Sequence, residues 1–87
     1  MHIEFDPAKA RANRSKHGVT FEEAATWLPD PKARVREDAL TAGESRWILL
    51  GMSEQARLLV VVYTLRGDNP RLISARKATA KEEKNYA

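Results

Sequence analysis

Hydrophobic and polar positions follow two different periods along this chain, and the change falls at Pro29-Asp30-Pro31. Before it the pattern is helical. Asp6-Pro7 reads as an N-cap followed by a first-turn proline, whose missing N–H is not needed there, and Lys16-His17-Gly18 reads as a cationic last turn closed by a glycine. The spacing predicts a helix over Pro7 to His17, with Ala8, Ala12 and Ser15 as a thin small-residue face packed on a sheet and Lys9, Asn13 and Lys16 on another face. Thr20-Phe21-Glu22-Glu23 forms a capping box in which the Thr20 hydroxyl accepts from the Glu23 N–H and the Glu23 carboxylate reaches back, with Val19 as a staple. A second helix from Phe21 to about Leu28 follows, and the prolines end it.

Beyond the prolines the period is two. Arg34-Val35-Arg36-Glu37 alternates as an edge strand with charged outward side chains. Arg46 to Met52 and Leu58 to Thr64 are apolar on both faces and rich in β-branched and aromatic residues, as central strands are. The connections at Ser53 to Arg57 and Arg66 to Pro70 are too short for parallel crossovers, so neighbouring strands are antiparallel. Arg71 to Arg76 makes the last strand. Thr79-Ala80-Lys81-Glu82 repeats the capping box and opens a short helix reaching Tyr86. The expected fold is α+β: an antiparallel β-sheet meander with two N-terminal helices and a short C-terminal helix. Ile3 to Phe5 could add a further strand.

Composition narrows the class. A chain of 87 residues supports a single domain over 1–87 with one modest core. No apolar run approaches the roughly 20 residues that cross a bilayer, and the N-terminus lacks a basic segment followed by an apolar one, so the expectation is a cytoplasmic protein without membrane contact. Cysteine is absent, which removes disulfides and thiolate metal sites. Net charge is only +3, but its distribution is uneven. Lys9, Arg11, Arg14, Lys16 and His17 cluster, Glu22, Glu23 and Asp30 follow, and the stretch from Arg66 to Lys81 is basic again. Folding could merge the two basic blocks into one patch, which would suit an anionic partner, above all nucleic-acid phosphate.

Candidate chemistry follows from what is missing. His2 and His17 are not spaced as a helical metal pair, no carboxylate cluster has a ligand pattern, and no glycine-rich phosphate loop exists, so neither metal nor cofactor is expected. Ser74 lacks the setting of a serine nucleophile. Cations can still cleave RNA, which carries its own nucleophile in the 2′-hydroxyl, by moving protons and stabilising charge on the phosphorane. His17 fits either a proton-transfer role or a charge at a helix C-terminus. Arg66, Arg71, Arg76 and Lys77 suit phosphate contact, although Arg76 and Lys77 could simply solubilise a strand end. Arg46 is a strand-entry charge or an RNA contact, and Ser74 a backbone-satisfied hydroxyl or a site residue. Trp27 and Trp47 read as core anchors, and Arg11 and Arg14 as solvated charges.

Phe5-Asp6 with Lys9, Lys16-His17-Gly18-Val19, Phe21-Glu22-Glu23-Ala24, Asp30-Pro31, Glu44-Ser45-Arg46, Leu59 to Thr64, Arg66-Gly67 and Arg71 to Ala78 together resemble the BrnT family of type II toxins, in order along nearly the whole chain. The resemblance implies a RelE-like fold, metal-independent RNA cleavage that inhibits translation and growth, and neutralisation by a BrnA-like ribbon-helix-helix antitoxin that alone binds DNA. It implies a basic site in which His17, Arg66, Arg76 and Lys77 are catalytic and Lys16, Arg46 and Arg71 bind RNA, with Ser74 added from its place in the last strand and Tyr86 by analogy with RelE-like toxins. An acidic antitoxin segment is expected to pair with Arg66, Arg71, Arg76 and Lys77 in a 2:2 complex. The competing class is a non-catalytic RNA-binding or antitoxin-like module using the same cations. Asn69-Pro70 departs from the family pattern and is expected to disturb entry to the last strand, and with it the direction of Arg71.

Overall fold

The computed structural model describes residues 3–27, 30, 32–38 and 46–86. Helix α1 spans Pro7–His17, between an Asp6 N-cap whose side chain accepts from the Ala8 N–H at 2.9 Å and a Gly18 C-cap at φ 70°. Both ends are therefore where the local signals put them. The buried face is not. Ala8, Ala12 and Ser15 are exposed, whereas Asn13 is buried and Ala10 packs against the core. The reason lies far along the chain: the Asn13 side chain donates to the carbonyls of Val19 and Ala75 at 2.9 Å each, and accepts from the Ala75 N–H at 3.0 Å. One amide thus serves the outer edge of the last strand as a neighbouring peptide would.

Helix α2 is shorter than expected, Phe21–Ala24, and continues as a 3₁₀ turn over Ala25–Trp27; Leu28 and Pro29 lie outside the described residues. Thr20 caps it by accepting from the Glu23 N–H at 3.0 Å. The Glu23 carboxylate does not reach back. It is buried and takes the Ser53 hydroxyl at 2.8 Å and a two-pronged grip from the Arg57 guanidinium, through Nε at 2.8 Å and through an ion pair with Nη2. A buried carboxylate must be matched by donors, and the hairpin supplies more of them than its own helix end does. Arg57 first, then Ser53, hold its pKa below the ordinary carboxylate value against the opposing effect of burial.

Four strands form one antiparallel sheet in the order β1 (Arg34–Asp38), β2 (Arg46–Met52), β3 (Leu58–Arg66), β4 (Asn69–Lys77). The meander and its two apolar central strands are as expected, but the last hairpin is longer: Arg66 pairs with Asn69 across Gly67-Asp68, and Pro70 lies within β4 opposite Leu65. Proline is tolerated there because its strand is at the sheet edge. The only further cover on that edge among the described residues is the N-terminus, where Glu4 makes an isolated parallel bridge to Arg71, donating to the Pro70 carbonyl at 2.8 Å and accepting from the Leu72 N–H at 2.9 Å. A register shift between Val62 and Tyr63 leaves Ile73 as an extra residue in β4. Ala80–Glu83 forms α3, with the reciprocal Thr79–Glu82 capping box present; regular helix stops before Tyr86.

Register assigns the faces. Leu49, Leu59, Val61, Tyr63, Leu72 and Ala75 pack with Val19, Phe21 and Ala24 beneath α1 and α2. Phe5 meets Phe21 edge-on with centroids 5.5 Å apart, and Trp47 joins from the rim. The opposite face carries Ile48, Leu50, Val60, Val62 and Thr64 together with cations, and α3 covers only one end of it.

Candidate functional site

Alternation along β4 separates residues that are adjacent in sequence. Arg76 pairs with Val60 and Ser74 with Val62, which places both on the open face; Lys77 pairs with Leu59 and so points to the helix-covered side, where its charge acts on Glu23. Arg71, opposite Thr64, returns to the open face because the Ile73 bulge shifts the alternation. The Pro70 departure therefore does not divert Arg71 from that face, and its guanidinium lies 3.7 Å from the Glu4 carboxylate. Arg66 is exposed beside the Gly67-Asp68 turn, about 20 Å from Arg76 by the rise of a strand. The four cations expected to act together are thus spread along the β3–β4 hairpin and over both faces.

Three groupings replace that single cluster. The first is a shallow groove of about 280 Å³ between α1 and β4, lined by Lys9, Asn13, Lys16, His17, Ile73 and Ser74. Here Lys16, His17 and Ser74 meet. The Asn13 clamp on Ala75 fixes α1 against β4, and Gly18 ends the helix so that its last turn faces the bulge. The second lies at the far end of the open face, where Arg46, one residue before the Trp47–Tyr63 pair, faces the row in which Thr64 pairs with Arg71. The Arg46 Nε is buried without a hydrogen-bond partner among the described residues.

The third grouping surrounds α3. Arg76 holds Glu82 through two parallel hydrogen bonds, 2.7 and 2.8 Å, while Glu82 also accepts from the Thr79 N–H at 2.8 Å. These donors, Arg76 foremost, bring the Glu82 carboxyl down to about 2. A cavity of about 400 Å³ opens beside this pair, with Ile48, Leu50 and Val60 as floor and Arg34, Arg36, Glu82 and Asn85 around it. Arg34 and Arg36 carry the alternation expected of an outward-charged edge, and that pattern alone did not distinguish a solvated row from the rim of a cavity. Tyr86 is turned away from these groupings: its hydroxyl donates to Asp30 at 2.6 Å, and Asp30 also accepts from the Met52 N–H at 2.7 Å. The Tyr86 bond, then that of Met52, lowers the Asp30 pKa, and the Asp30 carboxylate raises that of Tyr86. No cluster of potential metal ligands occurs among the described residues.

A small α+β protein with one helix-covered sheet face and cations along its edge strand is the class these features define. The profile described as ribonuclease toxin, BrnT, of type II toxin-antitoxin system matches residues 5–82, and the chain belongs to that family. The crystal structure of the Brucella abortus ribonuclease toxin BrnT is similar over 91% of this chain and 97% of that one, with 26% identity and a TM-score of 0.71. No curated protein matches. Family membership makes the chain a ribonuclease toxin with an antitoxin as partner.

Proposed function

We propose that the chain is a metal-independent endoribonuclease that cuts RNA in the groove between α1 and β4. The observation that carries this reading is the meeting of Lys16, His17 and Ser74 there, with Arg76 two residues beyond Ser74 on the same face of β4. The RNA 2′-oxygen attacks the adjacent phosphorus and the bond to the 5′-oxygen breaks. His17 takes the proton from the 2′-hydroxyl, the ammonium groups of Lys9 and Lys16 offset charge on the phosphorane, and the departing 5′-oxygen takes a proton from water, so the products are a 2′,3′-cyclic phosphate and a 5′-hydroxyl. Ser74 orients the phosphate, and Arg76, Arg71 and Arg46 hold flanking backbone on the open face. Arg66 touches a more distant phosphate. Lys77 supports Glu23 on the other side of the sheet.

The antitoxin of this reading is a BrnA-like ribbon-helix-helix protein in a 2:2 complex, with DNA contacted only through it. Incubation of the purified chain with RNA in excess chelator tests the activity, read by the end groups of the fragments. His17→Ala is expected to lower the cleavage rate at least ~100-fold, with only about 0.5 kcal/mol of stability lost at the helix end. Salt-sensitive binding with no cleavage of free RNA or of RNA on translating ribosomes would leave a non-catalytic RNA-binding module instead.

A further inference from the structure

We infer that the cavity between the open sheet face and α3 receives a segment of the antitoxin in which an apolar anchor is flanked by carboxylates. The inference rests on family membership, which supplies the partner, and is independent of where RNA is cut. Its first support is the arrangement of the walls. Arg34 pairs with Leu50 and Arg36 with Ile48, so two of the three floor residues have a β1 arginine directly across from them on the same face. Neither guanidinium is engaged in an ion pair or hydrogen bond with another described residue. An aliphatic floor with a cationic rim matches an apolar side chain with acidic neighbours, the core-and-rim pattern of protein interfaces.

The second support is what the cavity would do to RNA. Ile48, Leu50 and Val60 offer no aromatic ring on which a base could stack, and the Glu82 carboxylate on the rim repels phosphate. A polypeptide escapes both objections. Its apolar anchor fills the floor, its carboxylates stay on the β1 side with Arg34 and Arg36, and the Asn85 amide can bond its main chain. The helices shield one face of the sheet, while on the other Val60 is already buried and Ile48, Leu50 and Val62 remain half-buried, so the apolar floor keeps surface for an anchor to cover.

The test is the affinity of the cognate antitoxin for Arg34→Glu/Arg36→Glu, compared with Arg11→Glu/Arg14→Glu, which makes the same charge change on exposed positions of α1. The expected result is at least a tenfold loss of antitoxin affinity for the β1 variant and no more than a twofold loss for the α1 variant, with RNA cleavage by both within twofold of wild type. Equal losses would mean attraction by net charge alone and overturn the site. Unchanged antitoxin binding with weakened RNA binding in the β1 variant would reassign the cavity to RNA. Should the β1 variant fail to fold, methyl resonances of Ile48, Leu50 and Val60 in the wild-type chain are expected to shift when antitoxin is added. If all three stay fixed in a saturated complex, the antitoxin binds elsewhere.

Discussion

Glu82→Gln is expected to make the chain bind RNA more tightly while making it less stable. Glu82 occupies both outer nitrogens of Arg76, the donors that a phosphate would use. The pair is partly exposed, 40% for the arginine side chain and 31% for the glutamate, and water screens it to about 1 kcal/mol. Glutamine keeps a hydrogen-bonding group at the third helical position but gives up the charge. Freed of its internal anion, Arg76 should gain that same ~1 kcal/mol toward phosphate, about a fivefold fall in Kd for a labelled RNA by fluorescence anisotropy. The melting temperature should fall by about 5 °C. Glu83→Gln, an equal charge change on an exposed neighbour, controls for long-range attraction. Arg76→Ala breaks the same pair and should cost similar stability, yet it should weaken RNA binding. If Glu82→Gln melts lower and binds RNA no better than Glu83→Gln, Arg76 does not contact phosphate and serves only to hold α3.

Glu23→Ala removes the acceptor for Ser53 and Arg57 and should cost about 2–3 kcal/mol, measured by urea unfolding, with Arg57's partial exposure limiting the loss. A loss below about 0.5 kcal/mol would mean that water replaces the carboxylate freely. Asn13→Ala leaves the Ala75 N–H and carbonyl and the Val19 carbonyl without their partner, and should cost about 2–3 kcal/mol while exposing the Ala75 amide to rapid hydrogen exchange. Acid should destabilise the chain in a defined window. Glu82 titrates near 2 when folded against an ordinary 4.5, and Glu23 and Asp30 are lowered too, so their stabilisation is complete above ordinary carboxylate values and is lost as pH falls from about 4.5 toward 2. A melting temperature that stays flat across that range would contradict these pairings.

What could be read in advance was local. Asp6-Pro7, Gly18, Thr20 and Thr79 mark element ends through bonds to backbone a few residues away, and each holds in the structure. Asn13 and Glu23 were misplaced because their partners lie 62 and 34 residues away, and a polar residue on a helix gives no local sign that such a partner exists. Strand parity alone separates Arg76 from Lys77, so their divergence was legible in principle. The bulge at Ile73, which returns Arg71 to the face of Ser74, was not. Lys16, His17 and Ser74 meet because the Asn13 clamp draws α1 onto β4, while Arg34 and Arg36 border a cavity only once α3 folds beside them. For Arg76 the sequence offers phosphate contact or a solubilising strand end; its grip on Glu82 adds a third part, anchoring α3.

The clamp on β4 also limits how copies of this chain can associate. Strands add to a sheet only where main-chain groups lack a neighbour, and β4 has given that side to Glu4 and Asn13. Among the described residues the outer side of β1 is the sheet edge to which no other segment bonds. A sheet with two such sides can elongate into a fibre, whereas a sheet with one can join a single second copy about a two-fold axis and then has nothing further to offer. Like charges on Arg34 and Arg36 oppose even that step, so a chain kept at high concentration is protected from runaway polymerisation by its own topology.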